Sequence, residues 1–370
     1  MSFDMQCPEV VTEVRGGVGL ITLNRPKALN ALNLPMVRAL TAALRHWQAD
    51  DAVQAVAIRG IGKEGPFGAF CAGGDIRFFH AAALSGDPAL EDFFTEEYAL
   101  NHLIHTYGKP YIAFMDGIVM GGGMGVSQGA SHRIVTGRTK MAMPETGIGQ
   151  FPDVGGGYFL SRCPGRIGEW LALTGELLDG EGAVAAGLAD RVFAPTSLQS
   201  AWDGLTLLDW QDSNSLESWI AMHSIALTAY SIRARGQIDS IFAASDIFGI
   251  FAALESDGSE WAQATLATLQ KRSPLMLHVV LAQIRRGRDM GLADELRMER
   301  DMVRHCFVTR HLDRQGARSE TVEGIRALAV DKDHQPQWAP ASIHEVNTAM
   351  VTPFFASPWP AAAHPLRDLA

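Results

Sequence analysis

The chain has 370 residues and a formal net charge of −10, with 47% hydrophobic and 19% charged residues. This composition supports a large apolar core and argues against disorder over most of the length. The acidic balance argues against nucleic acid or a membrane as partner, since both select a basic surface, but it permits a phosphorylated small ligand that needs only a few local donors. Four scattered cysteines, Cys7, Cys71, Cys163 and Cys306, show no zinc spacing and read as reduced thiols of an intracellular protein. The first ten residues carry acids and no apolar segment, so no leader is visible and a cytoplasmic location is expected. No run approaches the roughly 18 apolar residues of a membrane span.

In chain order, residues 11–24 alternate and break at Arg15, Gly16 and Gly17, which predicts a β-hairpin. Pro35 opens a helix to about Trp47, with Val37, Leu40, Leu44 and Trp47 on one stripe. Residues 53–59 read as a buried strand followed by a glycine-rich loop ending at Asp75. A helix is predicted over 89–107, a strand over Tyr111–Met115, a helix opening in the glycines at 121–125, and a strand over 133–136. Helices over Gly156–Ser161, 167–173 and 180–186 precede a strand at Arg191–Phe193. The alternation implies an α/β domain over residues 1–195. Residues 196–350 read as mainly helical, with runs at 205–208, 241–254, 261–271 and 276–285. Pro353, Pro358, Pro360 and Pro365 make residues 351–370 an extended or disordered arm.

Two glycine clusters follow strands, one at 71–75 (CAGGD) and one at 121–125 (GGGMG). A dinucleotide fingerprint fails at 121–125, because the third small residue would fall on Val126 or Gln128. Bare main-chain N–H groups at such turns stabilise a developing oxyanion; close strand–helix packing explains the same glycines equally well. Cys71 is a conceivable nucleophile without a neighbouring histidine, and a small buried thiol is the commoner case. Glu97 lies on the apolar stripe of Leu90, Phe93 and Phe94 and so points inward, with Asn101 one turn on. It reads either as a structural acid bonded to Asn101 or as a functional one. His102 and His105 lack a matching ligand set, so no metal site is expected. Glu145 and Asp153 stand in an otherwise apolar, glycine-rich run, where a carboxylate needs a partner or a task.

Residues 24–30 (NRPKALN), 71–75 (CAGGD), Gly121 to Gly123 and the Pro144–Glu145 pair together resemble the crotonase (enoyl-CoA hydratase) superfamily. Residues 143–160 (MPETGIGQFPDVGGGYFL), 96–98 (EEY) and 331–338 (DKDHQPQW) resemble the 3-hydroxyisobutyryl-CoA hydrolase family within it. The resemblance covers nearly the whole chain. It implies a spiral of ββα units, an acyl-CoA substrate whose CoA is no separate cofactor, and a place in valine breakdown. It also implies an oxyanion hole at the amides of Gly74 and Gly122, a catalytic Glu145 with Asp153 beside the acyl group, and Glu97 among the substrate contacts. Lys27, Ala28 and Ala72 fall where the superfamily holds CoA. Hydratases carry a second carboxylate where this chain has Gly125 and a glycine where it has Asp153, which favours thioester hydrolysis over hydration. Superfamily members often form trimers, so a homo-oligomer is one expectation, although the helical C-terminal half has room to cover that surface.

Overall fold

The computed structural model describes residues 7–212, 214–226 and 232–370. Residues 1–6, part of the stretch read as leader-free, lie outside them. Two compact units divide the chain, each made of three segments. The first takes Met1–Gly74, Leu100–Met141 and Leu177–Ser231; the second takes Asp75–Ala99, Ala142–Glu176 and Ile232–Ala370. The sequence reading divides the chain consecutively, at 195 and 350, whereas these units interleave.

The first unit is built on a seven-stranded sheet. Strands β1 (Val10–Arg15) and β2 (Val18–Leu23) form the expected antiparallel hairpin. Then β3 (Ala55–Gly62), β4 (Tyr111–Met115), β5 (His132–Thr136) and β6 (Arg191–Phe193) join the free edge one after another, all parallel. The short strand Gly65–Pro66 folds back on β3. Parallel neighbours require crossovers, which are right-handed. Because strands add in one direction only, every crossover leaves from the same side and the chain winds as a spiral.

Both sheet faces are covered, so the inner strands read as nearly continuous apolar runs. Leu20, Ala57, Ile112, Phe114, Ile134 and Phe193 share one core with Trp202 and Trp219. Those tryptophans come from helices Leu198–Leu205 and Ser215–His223, and their rings meet Phe114 at 5.4 Å and Phe193 at 5.6 Å. The cover of the sheet therefore extends past residue 195 into what sequence alone assigned to a separate helical region. Gly19 faces the opposite way along β2, against Trp47 of the helix Leu34–Gln48.

The second unit is helical. Its central helix, Pro274–Gly287, is capped by Ser273, whose side chain accepts from Met276 N. Leu275, Leu277, Val279, Val280, Leu281 and Ile284 are all buried, wider than a single amphipathic stripe, as a helix surrounded by others requires. Several of its helices escaped the sequence reading, two of them ten residues or longer. Ile76–Ser85 begins at Asp75, whose carboxylate caps Phe78 N. Leu292–Phe307 is rich in charge, yet Glu295, Glu299, Arg300 and Asp301 are buried among its apolar residues. The run at 241–254 is two helices, Arg235–Ile241 and Ile247–Asp257, because Asp246 caps the second through Gly249 N at 2.8 Å. In the first unit, the helix expected to run through 208 stops at Leu205, leaving Leu207 exposed.

The C-terminal arm is a further correction. Residues 351–370 form short turns and bury Phe354, His364 and Leu366. His364 Nε2 lies 3.3 Å from Asp301, and Arg297 Nε donates to Leu366 O at 3.1 Å. Prolines prevent a regular helix, but local turns still present apolar side chains to a packed surface. Among the described residues no helix is long and apolar enough to cross a membrane.

Candidate active site

In the first unit, three loops are laced together by main-chain bonds. Ala72 N donates to Leu29 O at 3.0 Å, Leu32 N to Gly73 O at 2.8 Å, and Met120 N to Cys71 O at 3.0 Å. These bonds gather Lys27 and Ala28, on the turn Pro26–Ala28, with Ala72, Gly74 and the 121–125 cluster. Gly122 opens the helix Gly122–Gln128. Neither the Gly74 nor the Gly122 N–H donates to an acceptor among the described residues. The close packing explanation holds as well, one residue on. A Cβ on Gly123 would stand 2.3 Å from Cys71 O, so only glycine lets the two loops approach. Cys71 itself is fully buried and its thiol donates to Asn30 O at 3.1 Å, the posture of a structural thiol.

Asn30 is the residue the sequence reading passed over here. Its backbone is left-handed at φ 56°, a conformation asparagine tolerates. The side-chain amide donates to Ile61 O, Ala69 O and Phe70 O at 2.9–3.1 Å, while its oxygen accepts from Arg25 N at 2.8 Å. One buried amide thus joins the loop at residues 25–30 to the strand and loop that feed residues 71–75.

The second unit holds the acids. Glu145 begins a tight turn, Glu145–Ile148, right after Pro144, and Gly149 in the left-handed region closes it through its N–H to Glu145 O. Glu97 and Tyr98 come from the helix Ala89–His105, and Asp153 follows Pro152 at a sharp bend. All four are buried. The Tyr98 hydroxyl donates to Asp153 Oδ2 at 2.8 Å and Gln150 Nε2 donates to the same oxygen at 3.2 Å. Neither donor was assigned a task from sequence. Tyr98 sits four residues after Phe94 on the same helix face, a spacing that marks it as inward-pointing. Glu97 also points inward as expected. Its Oε1, both polar side-chain atoms of Asn101 and Glu145 Oε2 lack hydrogen-bond partners among the described residues.

Burial raises Glu145 well above the usual carboxylate range, and the Asp153 charge pushes the same way. Glu97 is raised for the same two reasons, in the same order. Asp153 rises to about 6 by burial, against the opposing bonds from Tyr98 and Gln150. Donors on Asp153 and none on Glu145 Oε2 separate two neighbouring carboxyls into different environments. A desolvated carboxylate of raised pKa is a stronger base or nucleophile near neutral pH than a solvated one.

A spiral of strands feeding glycine loops, with paired buried carboxyls in the helical part, defines the crotonase class. The family model described as enoyl-CoA hydratase/isomerase matches residues 18–355. Among solved structures, a carnitinyl-CoA dehydratase from Mycobacterium thermoresistibile is similar with a TM-score of 0.86 and 37% identity, over 96% of this chain and 98% of that one. An enoyl-CoA hydratase from Rhodobacter sphaeroides 2.4.1 is similar with a TM-score of 0.84 and 34% identity, over 95% and 98%. Among curated relatives, the mitochondrial 3-hydroxyisobutyryl-CoA hydrolase of Xenopus tropicalis is 40% identical over 92% of this chain and 87% of its own length. The human one is 36% identical over 94% and 89%. The chain belongs to the 3-hydroxyisobutyryl-CoA hydrolase family of the crotonase superfamily.

Proposed function

We propose that the chain hydrolyses 3-hydroxyisobutyryl-CoA to CoA and the free hydroxy acid, without a separate cofactor, as a step of valine breakdown. The observation that carries this reading is the buried pair Glu145 and Asp153, with Tyr98 and Gln150 committed to Asp153 alone. The amides of Gly74 and Gly122 stabilise the oxygen of the thioester carbonyl as it gains negative charge; one such donor is worth about 10²–10³ in rate. Glu145 either attacks the carbonyl carbon to form an anhydride that water opens, or takes a proton from water as that water attacks. In both routes the C–S bond breaks and the thiolate of CoA leaves and is protonated. Asp153, beside the acyl group, orients the 3-hydroxyl or the incoming water, with Glu97 among the substrate contacts. A site built to bond a hydroxyl strongly rejects analogues lacking it. Lys27, Ala28 and Ala72 lie along the CoA.

A second reading has its own support. The two similar solved structures named above are a dehydratase and a hydratase, which favours addition or loss of water at a double bond. Against it, hydration uses two carboxylates and the superfamily's second position here is Gly125, buried in the helix Gly122–Gln128. Two measurements follow, the first testing the role of Glu145 and the second separating the two readings. Glu145→Gln should lower thiol release from 3-hydroxyisobutyryl-CoA by about 10³-fold or more with the fold unchanged by circular dichroism. Crotonyl-CoA should keep its enoyl absorbance when incubated with the wild-type protein; rapid loss of that absorbance without thiol release would favour the hydratase.

A further inference from the structure

Asp153 sits in a turn whose geometry is held from behind. Val154 and Gly155 are consecutive left-handed residues, at φ 58° and 89°. For a β-branched valine that conformation is strained and persists only when its surroundings enforce it. The enforcing groups come from two other helices. Glu299, on Leu292–Phe307, accepts from Gly155 N at 2.7 Å through Oε2 and from Gly157 N at 3.1 Å through Oε1. Gln283, on Pro274–Gly287, donates to Pro152 O at 2.7 Å and to Glu299 Oε1 at 3.1 Å. Residues on both sides of Asp153 are therefore tied to one buried carboxylate–amide pair.

We propose that Glu299, aided by Gln283, is a positioning residue that fixes Asp153 for the acyl group. The role rests on Asp153 serving the hydroxylated acyl group as proposed above. Glu299 touches no substrate; it acts through the 152–157 turn. Glu295, one helical turn earlier, shapes the same spot: a Cβ on Gly157 would stand 2.1 Å from Glu295 Oε1, so a larger residue at 157 would push that buried carboxyl aside. Burial raises Glu295 to about 7, and burial followed by the Glu295 charge raises Glu299 as well. Glu299 accepts from three donors, Gly155 N, Gly157 N and Gln283 Nε2, so the turn is anchored through both of its carboxylate oxygens.

The test uses the ratio of kcat/KM for 3-hydroxyisobutyryl-CoA to that for isobutyryl-CoA, which differ only in the hydroxyl. Glu299→Gln keeps volume but turns one acceptor into a donor facing an amide. It should lower the ratio about tenfold or more, mainly through kcat on the hydroxylated substrate, with KM within about twofold. Asp153→Asn should lower the same ratio, and Glu299→Gln should add little further in that background, because both act on one group. An unchanged ratio in folded Glu299→Gln, or multiplicative losses in the double variant, would overturn the role of Glu299 while a drop in Asp153→Asn leaves the reading of Asp153 intact. No drop in Asp153→Asn sinks both. If Glu299→Gln does not fold, Gln283→Met, which removes both donors at similar size, carries the same expectation; loss of fold in both variants assigns the pair to stability and overturns the proposal.

Discussion

Glu145 and Asp153 are close in sequence and unequal in environment, and the inequality predicts a pH profile. Glu145 is raised by burial first and by the Asp153 charge second. In both proposed routes it acts as the carboxylate, so activity should fall as pH drops through that raised pKa rather than near 4.5. Asp153, raised to about 6, contributes to the same acid limb if its ionised form must accept from Tyr98 and Gln150. Asp153→Asn removes one titrating group and one repelling charge. The acid limb of kcat/KM should then move to lower pH and become less steep, measured on the residual thiol release. A limb that stays in place would mean another group controls it.

At the scale of elements, the glycine loops of the first unit are tied to a residue whose side chain bonds their main-chain groups. Asn30 supplies donors to Ile61 O, Ala69 O and Phe70 O and an acceptor for Arg25 N, all within a left-handed turn. Removing a side chain that satisfies buried main-chain groups costs about 1–3 kcal/mol for each group left without a partner. Asn30→Gly keeps the backbone conformation open and isolates the loss of the amide. It should lower stability by about 2 kcal/mol or more by chemical denaturation and, if the loop lies along the CoA as proposed, also raise KM for the acyl-CoA. Asn30→Ala adds the left-handed penalty and should be worse still. If Asn30→Gly is as stable as the wild type, the loops are held by their main-chain lacing alone.

The whole molecule carries an unusual load of buried acid in its second unit. Glu97, Glu145, Asp153, Glu295 and Glu299 are all raised mainly by burial. A carboxyl whose folded pKa lies above its unfolded value binds its proton more tightly when folded. Its effect on stability is most favourable below the unfolded pKa and is lost as pH rises through the folded one. For Glu295 that window runs from about 4.5 to about 7. Glu295→Gln should therefore raise the melting temperature at pH 8, by roughly 2 °C or more, and change it less at pH 5. Calorimetry at the two pH values checks the sign; equal shifts would mean that packing against Gly157 outweighs the charge.

Much of this protein is written locally. Alternation at 11–24, the stripe from Val37 to Trp47 and the apolar run at Tyr111–Met115 are near-neighbour patterns, and all became the expected elements. The inward aim of Glu97 was equally legible, since helical spacing alone decides it. What tertiary structure decided were pairings between distant segments. No spacing rule joins Glu299 to Gly155, Gln283 to Pro152 or Asn30 to Ile61. Nor could composition reveal that the charged helix Leu292–Phe307 is an interior one, or that the proline-rich end packs down through Phe354 and Leu366. Burial is a property of what surrounds a residue, so the chain names its acids while only the folded assembly sets their charge.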